Sequence, residues 1–217
     1  MLDTYPSKSM VDYVALARSN PDAINLGLSP FEDGESVHLE RNERDVMFYG
    51  KSGVKALGGV ISGELLRMQQ LTNQRMIIIT PQPDQWRYKI ESTLGQTNQV
   101  HVFDIRNIQE RKKAAEIIRK PKTDAENVAG LRFTFVLDQI DILTDDRDLE
   151  QAIDKRAWRD YDNVTLLASV ANVRKSEDYR DFASIVPVDD DPATDVFGVM
   201  LQPVNMPDDV HLVRIFS

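Results

Sequence analysis

Residues 46–66 read VMFYGKSGVKALGGVISGELL: an apolar strand runs into Gly50, a turn carries Gly53, and a helix-like stretch follows. This order is the outline of a phosphate cradle. Glycines let successive backbone N–H groups turn inward as an anion nest, and the helix N-terminus adds the positive end of its dipole. The complete pattern is Gly-x-x-x-x-Gly-Lys-[Ser/Thr], in which the lysine neutralises the β- and γ-phosphates and the hydroxyl ligates Mg²⁺. With Gly50 as the first glycine, Lys55 falls on the second, Ala56 on the lysine and Leu57 on the hydroxyl. The strand–turn–helix context is right and the chemistry is missing. A hydrogen bond to a charged group contributes about 1.5–3 kcal/mol, so the absent lysine alone weakens binding by roughly 10- to 150-fold.

Outward from this stretch the chain alternates strand and helix. Apolar runs stand at 46–49 (VMFY), 76–80 (MIIIT), 100–105 (VHVFDI), 131–138 (LRFTFVLD) and 164–171 (VTLLASVA). Runs without polar alternation are buried on both faces, the mark of a parallel sheet covered by helices. Between them, Ile61, Leu65, Met68 and Thr72 share one helical face in 58–72, and Ile108, Ala115 and Ile118 do so in 107–119. The spacing predicts a leading helix in SKSMVDYVALARS, stopped by Asn20-Pro21, and paired strands INLGLS and ESVHLE around the turn pair Asp33-Gly34. After the core come a short helix in SEDYRDFASI, an acidic proline-bearing loop PVDDDPATD, and the runs VFGVML and HLVRIF. The expected fold is a three-layer α/β domain over 1–217, with 1–45 as its leading helix and strand pair and 46–217 as its core.

A second chemical element is RFTFVLDQIDIL. Phe133, Phe135, Val136 and Leu137 lead into Asp138, as apolar residues lead into the Mg²⁺-holding aspartate of a Walker-B strand, but Gln139 stands where an acid would orient the attacking water. Glutamine hydrogen-bonds a water and cannot accept its proton. The strand VTLLASVANVR then ends in polar Asn172 and Arg174, positions suited to sensing a γ-phosphate. Elsewhere the chemistry thins out. His38, His101 and His211 have no metal-ligand spacing. The runs DDRDLE and VDDDPATD read as solvated acidic loops, and Trp86 and Trp158 as packing anchors. There is no cysteine, and no apolar run approaches the ~18 residues that span a bilayer. A net charge of −9 argues against gripping nucleic acid through its phosphates.

The order of these elements resembles the FtsK/SpoIIIE-like ATPase domains, most of all the tandem cytoplasmic ATPase domains of the type VII secretion coupling protein, EssC or EccC. INLGLSPFEDGESVHLERNERDVMFYG is similar to that family's leading strand pair and first core strand, and the resemblance runs over about residues 20 to 217. It implies a RecA/FtsK-like P-loop NTPase fold, mostly parallel, with helices on both faces. It also implies a cytoplasmic domain of a bacterial membrane protein, tied to the membrane only through that parent, which assembles as a homo-hexamer and exports WXG100-type substrates. Neighbouring ATPase domains of the same chain are the other implied partners, and nucleic acid is not one. The degenerate nucleotide site carried over residue by residue is Gly50, Lys51, Ser52, Gly53, Val54, Lys55, Ala56 and Leu57, with Asp138 and Gln139 as its Walker-B-like part and Asn172 as its sensor. Ala56, Leu57 and Gln139 align this chain with the degenerate, C-terminal member of the series, and imply no cofactor or weakly bound ATP with Mg²⁺. The reading that competes is a working ATP-driven translocase of protein or, less readily, DNA, in which Lys51 or Lys55 replaces the missing lysine.

Overall fold

Strands form where apolar runs are covered on both sides. The computed structural model describes residues 23–28, 36–40, 46–119, 131–142, 164–171, 183–191, 196–202 and 211–216. Its strands are β1 (Ala23–Leu28), β2 (Ser36–Glu40), β3 (Val46–Tyr49), β4 (Gln74–Thr80) and β5 (Val100–Asp104), then β6 (Arg132–Leu137), β7 (Val164–Val170), β8 (Ala183–Asp191), β9 (Val196–Gln202) and β10 (His211–Phe216). All lie in one sheet, in the order β2-β1-β10-β9-β8-β3-β7-β6-β4-β5. Every neighbouring pair from β8 to β5 is parallel. From β8 through β9, β10 and β1 to β2 every pair is antiparallel.

Among the described residues three helices cover the parallel half: α1 (Gly50–Met68), α2 (Pro83–Leu94) and α3 (Ile108–Arg119). Alternation along each strand sorts its side chains between two cores. Val46, Phe48, Met76, Ile78, Val136 and Leu167 meet α1 and α2 through Ala56, Leu57, Val60, Ile61, Leu65, Trp86 and Ile90. Met47, Ile77, Ile79, Phe135, Leu137, Leu166 and Ala168 meet Ala114 and Ala115 of α3 on the other face. The three-layer α/β expectation therefore holds, as do the five core strands. Among the described residues no helix is long and apolar enough to cross a membrane.

The local expectations fare unevenly. Helix α1 begins at Gly50, not near residue 58, so the whole of 50–57 is helix. It ends at Met68, which leaves Thr72 exposed beyond it, while Ile61, Leu65 and Met68 do join the core. In α3, Ile108 is 53% exposed; it precedes the turn that packs, and Ala114 and Ala115 carry the contact. Ala183–Ile185 open β8 and do not end a helix, and Pro187–Asp191 continue that strand where a loop was expected. The pairing of β8 with β9 slips between Pro187 and Asp189. A proline has no N–H to give a ladder, and a bulge is where that lack is tolerated. The leading helix, most of SEDYRDFASI, Trp158 and DDRDLE lie outside the described residues.

The early start of α1 rests on two glycines. Gly50 has φ 76°, a left-handed conformation that turns the chain sharply out of β3 into the helix. At Gly53 an added Cβ would lie 2.9 Å from the carbonyl carbon of Phe48, so only a bare Cα lets the first turn sit down on the strand end. Gly53→Ala sets a helix-propensity gain of about 1 kcal/mol against a backbone overlap of the kind that costs about 1–3 kcal/mol. The overlap is with main chain and cannot be relieved by a rotamer, so the expected result is net destabilisation, read as a lower urea midpoint. An unchanged or higher midpoint would contradict the close approach.

Candidate functional site

The carboxyl ends of β3, β7, β6 and β4 form one edge, and the register along them builds the site. Leu137 pairs with Ile79 on one side and Ala168 on the other. The next row across the three strands is therefore Thr80, Asp138 and Ser169. By alternation it shares a face with Ile78, Val136 and Leu167, which is the face under α1. Thr80 Oγ1 donates to Asp138 Oδ2 at 2.8 Å, and Ser169 Oγ donates to Asp138 Oδ1 at 2.9 Å. Each hydroxyl is itself aimed by main chain. Gln82 N–H donates to Thr80 Oγ1 at 3.1 Å and Gln139 N–H to Ser169 Oγ at 2.8 Å. Gln139 adopts φ 55° to make that turn, an uncommon conformation for a residue with a side chain. Asp141 Oδ1 accepts from Ala171 N–H at 3.0 Å, tying the turn after β6 to the end of β7.

This row closes the carboxyl edge of the parallel strands and is almost wholly buried. The chain leaves β4 into α2, on the α1 face, whereas it leaves β6 through a single 3-10 turn (Ile140–Ile142) whose Ile140 packs in the opposite core. Adjacent strands whose continuations depart to opposite faces open a cleft at their carboxyl ends, the usual ligand position in α/β sheets. Asp138 is only 6% exposed there. Burial pushes its carboxyl above the ordinary aspartate range, and Asp141 adds to the rise; the bonds from Thr80, Ser169 and Gln139 pull the other way.

The glycine turn is placed beside this row and is changed in kind. Ala56 and Leu57 are buried in the core that α1 makes with the sheet. Gly53 is buried, Val54 is half-buried, and Lys51 and Lys55 are exposed; Gly50 and Ser52 belong to the same first turn of α1. What this segment offers an anion is the helix N-terminus alone, without a loop wrapped around it. The arrangement places Asp138 and Gln139 at the carboxyl end of β6, and Asn172 and Arg174 lie outside the described residues. Sequence reasoning missed Thr80 and Ser169. Their signal was present, as a lone hydroxyl closing MIIIT and another interrupting LLASVA, but only the strand order brings them to Asp138 across 58 and 31 residues.

The strand order and the helices on both faces make this a three-layer α/β fold with a mostly parallel core, and Asp138 stands at the carboxyl end of its strand β6. No family model and no curated protein matches the chain, but solved structures do. The chain is similar to Thermomonospora curvata EccC (ATPases 2 and 3) in complex with a signal sequence peptide, at TM-score 0.60 and 10% identity over 93% of this chain and 41% of that one. It is similar to EssC (ATPases 2 and 3) from Geobacillus thermodenitrificans, at 0.62 and 11% over 98% and 44%. A third likeness is to the pCW3 conjugation coupling protein TcpA in its monomer form with ATPγS, at 0.63 and 10% over 93% and 68%. The chain thus spans about two fifths of the EccC and EssC fragments, and at these identities the likeness establishes the fold.

Proposed function

We propose that this chain is a P-loop-derived module of a type VII secretion motor that acts through protein contacts and does not hydrolyse ATP. The observation that carries the reading is the packing of Ala56 and Leu57. The positions that would hold the phosphate-binding lysine and the metal-binding hydroxyl are core positions, 0% and 1% exposed. Asp138, lacking a hydroxyl at 57, takes Thr80 and Ser169 as its partners, so both carboxylate oxygens are engaged within the protein. A fold that keeps a rigid sheet and loses its catalytic groups retains the faces by which such domains pack against neighbours. EccC of the same fold has been solved with a signal sequence peptide. That complex supports a secreted polypeptide and adjacent ATPase domains as partners, and we take the polypeptide to be of the WXG100 type and the parent protein to be a hexamer. Other structures of the fold are cytoplasmic domains of EccC and EssC, which supports a place on the cytoplasmic side of a bacterial membrane.

Calorimetric titration with Mg-ATP, beside a phosphate-release assay, tests the reading. The expected result is an affinity weaker than about 100 µM, as the missing charged hydrogen bonds require, and no release above background. Low-micromolar binding, or turnover abolished by Asp138→Ala, sinks it in favour of a working translocase in which Lys51 or Lys55 serves as the cation.

A further inference from the structure

Strand β5 ends the sheet among the described residues. An edge strand presents a row of main-chain groups with which another chain can pair. Its bonds to the neighbouring strand β4 decide which groups face outward. Met76 N–H donates to the Gln99 carbonyl at 2.8 Å, and Ile105 N–H donates to the Thr80 carbonyl at 3.0 Å. Main-chain groups of successive residues point to opposite sides of a strand. Gln99, His101, Phe103 and Ile105 therefore bond toward β4, and Val100, Val102 and Asp104 turn their N–H and C=O groups outward.

Side chains from opposite layers occupy this outward row. Arg87, on α2, donates from Nη2 to the Val102 carbonyl at 3.5 Å. Glu110, on α3, accepts the Asp104 N–H on Oε2 at 2.6 Å. The same two atoms, Arg87 Nη2 and Glu110 Oε2, stand 3.5 Å apart. Since α2 packs on one face of the sheet and α3 on the other, the pair meets across the strand's outer rim. Arg87 is steadied by Asp84 Oδ1 at 3.1 Å one turn back on its own helix, and the Asp104 carbonyl accepts from Asn107 N–H at 3.0 Å. An ion pair this exposed adds little to stability by itself. What distinguishes this one is that each partner also holds a main-chain group of the edge.

We propose that Arg87 and Glu110 form a clasp that closes the outer edge of β5 against strand addition by a second copy of this chain. A second copy is the natural intruder, because it brings an identical edge, and two such edges pair antiparallel about a twofold axis without further fitting. A groove of about 380 Å³ beside the strand, bounded in part by Ile90, Val100, His101 and Val102, gives the side chains of an added strand somewhere to go. With the clasp shut, the Val102 carbonyl and the Asp104 N–H are taken. The groups of Val100 and the Val102 N–H that remain form too short a row to hold a partner.

The test compares the 217-residue chain with Arg87→Ala/Glu110→Ala, by light scattering against concentration and by amide exchange. The expected result is concentration-dependent association of the double variant, with exchange of the Asp104 amide faster by roughly tenfold or more, as loss of a charge-assisted hydrogen bond implies. Adding His101→Lys, a charge placed on the exposed edge, should return that variant to monomer. Glu110→Gln keeps an acceptor for the Asp104 N–H and should keep its protection, which tests the bond even where the double variant folds poorly. A double variant that stays monomeric, association that His101→Lys does not suppress, or an Asp104 amide that exchanges alike with glutamate, glutamine and alanine at 110 would each overturn the clasp.

Discussion

Introducing the lysine and hydroxyl of the phosphate-loop pattern, Ala56→Lys with Leu57→Thr, should damage the fold and create no nucleotide site. In a loop, a lysine at 56 would reach a phosphate. Here position 56 is completely buried on α1 among Phe48, Val60 and their neighbours, and Leu57 is 1% exposed. An unpaired ammonium forced into such a place costs about 3–5 kcal/mol, and threonine at 57 removes apolar volume while adding a hydroxyl. Against a total stability of about 5–15 kcal/mol, the ammonium alone removes about a fifth or more of what holds the domain together. The melting temperature should fall by roughly 10 °C or more. Gln70→Lys, at an exposed position beyond α1, adds the same charge and should change little. The outcome against this account is a variant that melts like the parent and binds Mg-ATP in the low-micromolar range. Residues 50–57 would then be a loop in solution, one repair away from function.

That contrast also separates what could be read in the sequence from what could not. The five strands β3 to β7 were legible because burial on both faces removes polar alternation, so VMFY, MIIIT and VTLLASV announce themselves without context. Asp138 was legible for the same reason, as the first charge after such a run. The start of α1 was not. Gly50-Lys51-Ser52-Gly53 has the composition of a loop, and what makes it helix is the approach of Gly53 to the Phe48 main chain, a contact no local propensity encodes. Pro187 and the acidic Asp189–Asp191 likewise read as loop, whereas pairing with β9 through a bulge makes them strand. Helix α2 leaves one mark in the sequence, Pro83 in its first turn, where a proline signals a helix start. The partners of Asp138 were hidden in another way. Thr80 and Ser169 sit inside apolar runs, where a lone hydroxyl looks incidental, and only the order β7-β6-β4 sets them beside the carboxylate.

The acid they hold should make stability depend on pH in a direction opposite to that of most carboxylates. An aspartate ionised and paired in the folded state has a lowered pKa, and its contribution vanishes as acid is added. For Asp138 burial outweighs the bonds from Thr80 and Ser169, and the folded-state pKa lies above the ordinary value of about 3.9. Between those two values the folded protein binds more protons than the unfolded chain. The stability this group provides is therefore complete below about pH 3.9 and is lost as pH rises through the folded-state pKa. Asp138→Asn removes the titration and keeps one acceptor oxygen, while its amide can donate to the second hydroxyl. Measured by urea unfolding from pH 4 to pH 8, the parent should lose ground to the variant as pH rises from 4, and hold a constant deficit once the folded-state pKa is passed. Asp138→Ala leaves both hydroxyls without their acceptor and should lose about 1–3 kcal/mol for each at every pH. Parallel curves for parent and Asp138→Asn would mean that the carboxyl is not held by burial. Repeating the series with millimolar Mg²⁺ ties this to function. A bound cation favours the ionised carboxylate, so a site that still takes metal would flatten or reverse the slope. A carboxyl closed by Thr80 and Ser169 should give the same curve with and without Mg²⁺.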